Sequence, residues 1–249
     1  MNIAVCVKQT PDTATRVKIG DNGKSIIEDG INWVVNPYDE YAIEEALQLT
    51  EKHGGEVTII SLGPPSIEKT IREALAMGAH NAIRVNAERI PSDPAVTAKA
   101  LAEVIKSGNY DLTFMGRQAV DNDHAQVPSL VSQALNLPCV SMVVKLTIEG
   151  DKGTALREIE GGHEKVSFKL PAIIGANRHL NEPRYRSLKG IMQAKKKAIE
   201  ARDVALAEEK LVIKKLEYPP AKQAGKIFNN GAEAVPEVVR LLHEEAKVI

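Results

Sequence analysis

Short apolar runs alternate with amphipathic stretches along the first 140 residues. The strand-like runs are "IAVCV" (3–7), "EVTIISLG" (56–63), "NAIRVN" (81–86) and "DLTFMG" (111–116). The stretches between them carry apolar residues at helical spacing, and the one that begins near Asn36 opens with Pro37 and stops at Gly54, as helices do. This alternation predicts a doubly wound, mostly parallel α/β sheet with helices on both faces.

The pattern changes after Pro138. Residues 139–177 read as strands joined by turns at 150–153 and 161–162, which predicts an antiparallel addition that returns to the main sheet through "PAIIGAN". Residues 180–197, "LNEPRYRSLKGIMQAKKK", predict a projecting loop up to Gly190 and a helix from Ile191, with Ile191, Ala194 and Ala198 facing the body and Lys195–Lys197 facing solvent. We expect one α/β domain over residues 1–217 and a C-terminal arm and helix over residues 218–249.

Composition narrows the function. The 249 residues are 43% hydrophobic and 26% charged, with a net charge of −1, as expected for an ordinary globular protein that neither binds nucleic acid nor inserts into a membrane. Any function that depends on positive charge must therefore be confined to a local surface, and residues 180–197 are the candidate. Cys6 and Cys139 lie in apolar runs without metal-ligand spacing, which predicts reduced, buried thiols and no metal. The N-terminus lacks the apolar segment of a secretory leader.

Ligands of open parallel sheets bind beyond the carboxyl ends of the strands. Four loops qualify: "KQTPDT", "NPYD", "SLGPPS" and "MGRQAVDNDHAQVPS". In the last, Gly116 permits close backbone approach and Arg117 can pair with a phosphate. The following acidic residues can accept from a ribose or simply cap the next helix, and spacing leaves both readings open. No Walker sequence or G-x-G-x-x-G is present.

Catalytic patterns are weak. No serine lies in a G-x-S-x-G context, and the six histidines are scattered without metal-ligand spacing. His124 stands apart because it belongs to the candidate loop. We therefore expect a binding protein with no catalytic residue.

Several segments together resemble one family. "VCVKQTPD", "NPYDEYAIEEAL", "SLGPPSIEKTIREALAMGA", "GRQAVDNDHAQV" and "LNEPRYRSLKGIMQAKKK" resemble, in the same order, the beta subunit of electron transfer flavoprotein. The resemblance covers nearly the whole chain. It implies an adenine-nucleotide α-hydrolase-like fold and a heterodimer whose alpha subunit holds most of the FAD. It further implies an electron carrier, not an enzyme, that takes electrons from acyl-CoA dehydrogenase-type donors of fatty acid beta-oxidation to a membrane quinone oxidoreductase.

The resemblance also implies a bound nucleotide. Usual members of the family bury one AMP, and its site carried over by position comprises Cys6, Asn36, Pro37, Tyr38, Asp39, Leu62, Gly116, Arg117, Gln118, Ala119, Val120, Asp121, Asn122, Asp123, His124, Ala125, Gln126 and Val127. "DNDHAQV" departs from the usual motif and is closer to members that bifurcate electrons and hold a second FAD instead of AMP, whereas "LNEPRY" followed by "AKKK" is typical of the non-bifurcating carriers. We expect AMP, with a second FAD as the alternative.

The basic stretch corresponds to the family's recognition loop, which docks the dehydrogenase through a leucine. That leucine is Leu188, and Arg184, Arg186 and Lys189 would steer an acidic partner. The competing interpretation makes Leu188 a buried staple for the following helix. Tyr185 either stacks near the flavin or packs the loop base. The expected recognition residues are Leu180, Asn181, Glu182, Pro183, Arg184, Tyr185, Leu188, Ile191 and Met192.

A second class of function remains open, a stand-alone nucleotide-binding protein of the same fold. The lack of a phosphate-loop lysine and of a nucleophile–base pair argues against it. For location we expect the cytoplasm of a prokaryote, or the mitochondrial matrix if the source is eukaryotic. The polar character of residues 218–231 predicts an arm that orders on the alpha subunit.

Overall fold

The structure is a computed structural model that describes residues 1–221 and 224–249. Residues 222 and 223 of the predicted arm lie outside the described residues. Contacts divide the chain into two units, Met1–Lys215 and Leu216–Ile249. The strands of the first unit are β1 (Asn2–Cys6), β2 (Gln9–Pro11), β3 (Trp33–Val35), β4 (Glu56–Gly63), β5 (Asn81–Asn86), β6 (Leu112–Gly116), β7 (Cys139–Glu149), β8 (Lys152–Ile159), β9 (Gly162–Lys169), β10 (Ala172–Ala176) and β11 (Glu200–Arg202).

Five α-helices cover the sheet of the first unit: α1 (Pro37–His53), α2 (Glu68–Met77), α3 (Pro94–Ser107), α4 (Val127–Leu135) and α5 (Leu188–Lys196). A 3₁₀ turn, Pro65–Ile67, precedes α2. The N-cap residue of α2 is Ile67, and it makes no side-chain capping hydrogen bond. Asp93 does cap α3, since its carboxylate accepts from the backbone N–H of Ala95.

One nine-stranded sheet organises the first unit, in the order β11-β5-β4-β1-β6-β10-β7-β8-β9. Neighbouring strands are parallel from β11 to β7, and β7, β8 and β9 form an antiparallel meander. The predicted doubly wound sheet with an antiparallel addition is therefore confirmed. The predicted return through "PAIIGAN" is β10, whose five residues are all buried between β6 and β7.

Period-two alternation of the central strands divides the core into two layers. Ile3 and Val5 of β1 pack with α1 and α2, whereas Ala4 and Cys6 of the same strand pack with α3 and α4. The side chains at helical spacing on α1, Ile43, Ala46, Leu47 and Thr50, are buried. Helices cover both faces, and the central strands β1, β4, β6 and β10 are accordingly buried at every position except the first residue of β1 and of β4.

Three local features differ from the expectations. The strand β11 and the two-stranded sheet of β2 and β3 were not predicted, because each strand has three residues and too little apolar alternation to be recognised. The helix expected from Ile191 begins three residues earlier, since Ser187 accepts from the backbone N–H of Gly190 and caps it. Ala198 is exposed, not buried.

The second unit contains a 3₁₀ turn, Gly231–Ala234, followed by α6 (Val235–Glu244). Arg240 pairs with Glu237 and Glu244 along the exposed face of α6. Apolar Val235, Val239 and Leu242 of this helix are also exposed. Among the described residues, no helix is both long enough and apolar enough to cross a bilayer.

Phe114 provides a test of the layered core. It is fully buried on β6 beneath α1, so Phe114→Ala is expected to lower the free energy of unfolding by about 3–5 kcal/mol. Urea titrations followed by the fluorescence of Trp33, the chain's one tryptophan, measure this. Phe228→Ala, at an exposed position of the second unit, is the matched control and should leave that transition within about 0.5 kcal/mol; equal losses in both variants would contradict the assignment.

Candidate functional site

A cleft of about 770 Å³, counted out to its open mouth, lies at the carboxyl ends of the parallel strands. Cys6, Leu62 and Met115 form its floor at the ends of β1, β4 and β6, and Leu101 of α3 forms a side. The remaining walls come from the loop after β6 and the loop between β5 and α3. The lining is apolar near α3 and polar near the β6 loop, as in small-molecule sites.

Asp39 ties together the elements that meet at this cleft. Its Oδ2 accepts from the backbone N–H of Lys8 (2.7 Å), just beyond β1. Its Oδ1 accepts from the backbone N–H of Gly116 (2.9 Å), at the end of β6, and from the side-chain amide of Asn36 (2.9 Å). One buried carboxylate in the first turn of α1 thus joins two strand ends to a helix start.

The close packing around Asp39 explains Gly116. A Cβ at this position would lie 2.4 Å from Oδ1 of Asp39 and 2.7 Å from Cβ of Tyr38. Even alanine is therefore excluded unless α1 moves away from β6. Gly116 permits the approach of α1 to the sheet, as well as the turn into the loop.

Burial raises the pKa of Asp39 to about 7, although the three donors and the nearby Lys8 act in the opposite direction. Cys6, next to it on the cleft floor, also has a raised pKa, first because it is buried and second because of Asp39. A thiol in this state is a poor nucleophile, so Cys6 contributes packing to the floor.

The loop of residues 117–126 is held by its own polar side chains and by its neighbours. Lys8 forms an ion pair with Asp121 (2.6 Å), and the Asn36 amide donates to the carbonyl of Gln118 (2.9 Å). Ala125, on the cleft lining, has a φ of +52°. This conformation costs a non-glycine residue about 1–3 kcal/mol, and such strain concentrates at functional sites.

The start of α4 opens onto the cleft without a cap. Gln126, at the N-cap position, makes no side-chain capping hydrogen bond, and Gln126, Val127 and Pro128 line the cleft. An uncapped helix start presents unpaired N–H groups and a partial positive charge, which suits a phosphate or another anion. The cleft thus combines an apolar part, able to hold an aromatic base, with an anion-binding end.

A second candidate surface is residues 180–197, which we call the recognition segment. Its helix α5 lies on α2 with very close contact, since a Cβ on Gly190 would lie 2.3 Å from the carbonyl oxygen of Ala76. Arg72 of α2 donates to the carbonyl of Ala194 (2.8 Å), and Lys197 donates to the carbonyl of Ala79 (2.5 Å). Arg72 therefore caps the carboxyl end of α5, and Lys197 joins that end to the residues that follow α2.

The first half of the recognition segment is anchored on α1. Leu180 packs against the core, and the Asn181 amide donates to Glu45 (2.9 Å). Arg184 pairs with Glu44 (2.7 Å) and Glu51 (2.6 Å). Burial of Glu44 would raise its pKa, but the bonds from Arg184 outweigh this and lower it. The segment is thus fixed to the body at its base.

The tip of the recognition segment is apolar and exposed. Leu188 is 79% exposed and Tyr185 is 99% exposed, while Ile191 and Met192 are about half exposed on the same helix. Several large apolar side chains exposed close together on an anchored segment are typical of a protein-binding site.

Comparison with known proteins decides the family. A model of the electron transfer flavoprotein domain matches residues 24–207. Proteins named electron transfer flavoprotein subunit beta are similar over the chain: that of Bacillus subtilis is 42% identical and covers 100% of both chains. That of Thermoanaerobacterium thermosaccharolyticum is 41% identical over 98% of each. That of Homo sapiens is 38% identical over 90% of this chain and 91% of its own.

The chain belongs to the electron transfer flavoprotein family, as a beta subunit. The expected resemblance is thereby confirmed, and the nine-stranded sheet is the fold that it implied. Membership in this family indicates an electron carrier associated with a flavin, and a beta subunit implies an alpha subunit as partner.

The structure brings most of the expected nucleotide-site residues to one cleft. Thirteen line it: Cys6, Asn36, Asp39, Leu62, Gly116, Arg117, Gln118, Ala119, Asn122, His124, Ala125, Gln126 and Val127. Five others, Pro37, Tyr38, Val120, Asp121 and Asp123, are not part of the lining. Of these, Asp121 pairs with Lys8, and Asp123 accepts from the side-chain amide of Gln118. The reading of Asp123 as a helix cap is wrong, because α4 begins four residues later and uncapped.

The guanidinium of Arg117, expected to meet a phosphate, is held by the protein. It lies 5.2 Å from the ring centroid of Tyr38 and donates to the sulfur of Met142 (3.0 Å). Its Nε is buried without a partner. Arg117 thus belongs to the support of the loop in this structure, while the uncapped start of α4 provides the anion-binding groups.

Sequence reasoning missed one wall of the cleft, formed by Ile90, Pro91, Ser92, Pro94 and Thr97. The loop between β5 and α3 was not among the four candidate loops, although it also follows a parallel strand. The rule that ligands bind beyond strand ends would have found it. Val7 and Leu101 were also missed, whereas Lys8, Met115 and Pro128 of the lining belong to two of the four candidate loops.

Three readings of the recognition segment are wrong. Leu188 is not a buried staple, and Tyr185 does not pack the loop base, because both are exposed. Arg184 and Arg186 are not free to steer a partner: Arg184 pairs with glutamates of α1, and Arg186 pairs with Glu73 of α2 (2.8 Å). Long polar side chains on a loop were read as exposed charges, and only the fold brings the acids to them.

The described residues contain no group of three or more side chains able to hold a metal ion. The two cysteines are both free. Cys6 is buried as expected, whereas Cys139 is half-buried at the start of β7, so the expectation of full burial fails for Cys139.

Asp39→Asn tests the central carboxylate. An asparagine provides one acceptor oxygen and turns its amide toward backbone donors, so the variant should lose about 1–3 kcal/mol of unfolding free energy. Because the native pKa of Asp39 is raised to about 7, its contribution is complete below pH 4 and falls as pH rises toward 7. The difference in unfolding free energy between wild type and Asp39→Asn, measured by urea titration, should therefore be larger at pH 5 than at pH 8.

Asp21→Asn, at an exposed loop position, is the matched control and should track wild type at both pH values. A gap that widens as pH rises would contradict the raised pKa of Asp39 and show that the native carboxylate is ionised at pH 5.

Proposed function

We propose that this chain is the beta subunit of a heterodimeric electron transfer flavoprotein that binds AMP in the cleft and docks its electron donors through the recognition segment. The donors are acyl-CoA dehydrogenases and related enzymes of fatty acid beta-oxidation, and the acceptor is a membrane quinone oxidoreductase. The FAD, which supplies the redox chemistry when bound, is held mostly by the alpha subunit. Electron transfer takes place in the cytoplasm, or in the mitochondrial matrix of a eukaryote.

The nucleotide assignment depends on one observation: the cleft has an apolar part and, at its other end, groups that can bind an anion. Apolar Leu62, Leu101 and Met115 fit an adenine ring, and the uncapped start of α4 fits a phosphate. Lys8 is the one lysine among the described residues of the cleft lining and is already paired with Asp121, so the lining offers no free lysine of the kind a phosphate-transferring loop uses. A nucleotide that stays bound and does not react fits these walls better than an enzymatic substrate.

The docking assignment depends on the combination of a rigid base and an apolar tip. Ion pairs of Arg184 and Arg186, and the cap that Arg72 of α2 provides to the carboxyl end of α5, fix the segment before a partner arrives. A preformed loop loses less conformational entropy on binding. Leu188 then offers an exposed aliphatic side chain to a pocket of the dehydrogenase.

The alpha subunit is proposed to contact the second unit, among other surfaces. The exposed Val235, Val239 and Leu242 of α6 fit the apolar side of such an interface. A stand-alone nucleotide-binding protein would have no use for this surface or for the tip at Leu188.

Nucleotide content tests the first part of the proposal. The purified heterodimer, denatured and analysed by chromatography, is expected to release one AMP and one FAD per dimer. Two FAD and no AMP would replace AMP by a second flavin and make the protein an electron-bifurcating member. Absence of any adenine nucleotide besides the single FAD would overturn the nucleotide function of the cleft.

Leu188→Ala tests the second part. An anchor of this kind is worth about 2 kcal/mol or more, so the KM of a dehydrogenase for the flavoprotein should rise at least about 10- to 30-fold. Flavin content and unfolding midpoint should not change, because Leu188 is exposed. Gln193→Ala, also exposed on α5, is the control expected to behave as wild type. Unchanged kinetics in Leu188→Ala would refute the anchor.

A further inference from the structure

An extended segment, residues 203–211, follows β11 and lies against the loop between β5 and α3. We call this segment the strap, and we call residues 87–93 the wall loop, because Ile90, Pro91 and Ser92 line the cleft. All residues of the strap are described, and none is in a helix or strand. Because the strap lacks the regular hydrogen bonds of a helix or strand, side chains must pair with part of its backbone.

Two carboxylates join the strap and the wall loop reciprocally. Oε1 of Glu209, on the strap, accepts from the backbone N–H groups of Ser92 (2.5 Å) and Asp93 (3.1 Å). Oδ2 of Asp93, on the wall loop, accepts from the backbone N–H groups of Lys210 (2.9 Å) and Leu211 (3.2 Å). Hydrogen bonds to ionised acceptors are the stronger kind, and these four join the same two segments.

Further contacts extend this attachment at both ends. Arg89 of the wall loop pairs with Glu209, and the Asn86 amide donates to Asp203 (2.7 Å). Val204 packs against the apolar layer of α3. Oδ1 of Asp93 also caps α3, so the same residue fixes the strap, the wall loop and the helix that forms one side of the cleft.

The pKa values of both carboxyls are lowered. For Asp93 the main cause is the hydrogen bond from Lys210, with that from Ala95 second. For Glu209 burial acts to raise the pKa, but Arg89 and the wall-loop N–H groups outweigh it. Both side chains are therefore ionised near neutral pH, as the reciprocal arrangement requires.

We propose that the strap is a latch on the cleft, in which Glu209 is a positioning residue that holds the wall loop against the bound nucleotide. The inference rests on the proposed function, that the cleft binds an adenine nucleotide. Release of the nucleotide then requires the strap to detach from the wall loop. Glu209 touches no ligand itself and acts through the backbone of Ser92 and Asp93.

Chain continuity gives the latch a consequence for assembly. The strap ends five residues before Leu216, where the second unit begins. An alpha subunit that binds the second unit restrains the strap, and a restrained strap strengthens nucleotide binding. By linkage, a bound nucleotide then strengthens binding of the alpha subunit by the same factor.

The test measures release of AMP from the purified heterodimer. The protein is loaded with radiolabelled AMP, diluted into excess unlabelled AMP, and sampled by filtration. Glu209→Ala removes the acceptor of two N–H groups and the partner of Arg89, and should release AMP about tenfold faster than wild type. Glu209→Gln, which keeps an acceptor oxygen but loses the charge, should release it at an intermediate rate.

Glu208→Ala is the matched control, since Glu208 is the exposed neighbour on the same strap. It should release AMP at the wild-type rate, and the unfolding midpoint of Glu209→Ala should stay near that of wild type. Equal release rates for Glu209→Ala and wild type would overturn the latch. A faster release that follows a global loss of stability would overturn it as well, because the effect would then not be local.

Amide hydrogen exchange separates the failure of the latch from the failure of the proposed function. If wild type binds neither AMP nor a second FAD, the cleft is not a nucleotide site and the proposed function fails. Amide hydrogen exchange of the wall loop is then measured directly in the same heterodimer. Faster exchange at residues 92–93 in Glu209→Ala, but not in Glu208→Ala, supports the latch as a mechanical element; unchanged exchange overturns it.

Discussion

A single buried carboxylate at the start of α1 connects the parts on which both candidate sites depend. Asp39 accepts hydrogen bonds from the end of β1, the end of β6 and the side chain of Asn36. The two backbone N–H groups, of Lys8 and Gly116, would otherwise be unpaired at the carboxyl edge of the sheet, where two strands stop and a helix begins. Burial opposes the charge of Asp39 and raises its pKa, so the three hydrogen bonds compensate for a group that is costly to bury.

Helix α1 carries this connection from one site to the other. Its first turn holds the cleft through Asp39, while Glu44, Glu45 and Glu51 farther along hold Arg184 and Asn181 of the recognition segment. Three acidic residues on one face of α1, of which Glu44 and Glu45 are buried, thus have partners that arrive from about 140 positions later in the chain. The same helix supports a ligand cleft and a docking surface, and a displacement of α1 would disturb both.

The strap plays a corresponding part on the opposite side of the cleft. Asp93 caps α3 and accepts from the strap, as Asp39 joins α1 to the strands. In both places an acidic residue within or next to the first turn of a helix accepts hydrogen bonds from backbone N–H groups of a distant segment. These N–H groups have no partner within regular secondary structure, and the carboxylate provides one. The walls of the cleft are therefore fixed by carboxylates, whereas its floor is fixed by apolar packing.

Most of the sheet could be predicted, because apolar runs of five to eight residues have a strong and local signal. Short strands such as β11 could not, since three residues at a sheet edge, two of them charged, are too few to show a periodicity. In the cleft, thirteen expected residues were found on the lining, because loops after parallel strands meet at one edge whatever their sequence. The wall loop was missed through an incomplete use of that same rule, although its Asp93-Pro94 pair is a recognisable helix start.

The order of strands and helices, the antiparallel addition, and membership in the electron transfer flavoprotein family were already determined by the sequence, because these depend on local periodicity and on motifs contiguous in the chain. Tertiary structure alone decided which charges are free. Arg184, Arg186 and Glu209 look like solvated side chains in the sequence, yet each is paired across roughly a hundred residues or more. A charge has no partner in the sequence until the fold brings one within hydrogen-bonding distance, and so the exposed Leu188, not the arginines around it, remains available at the surface.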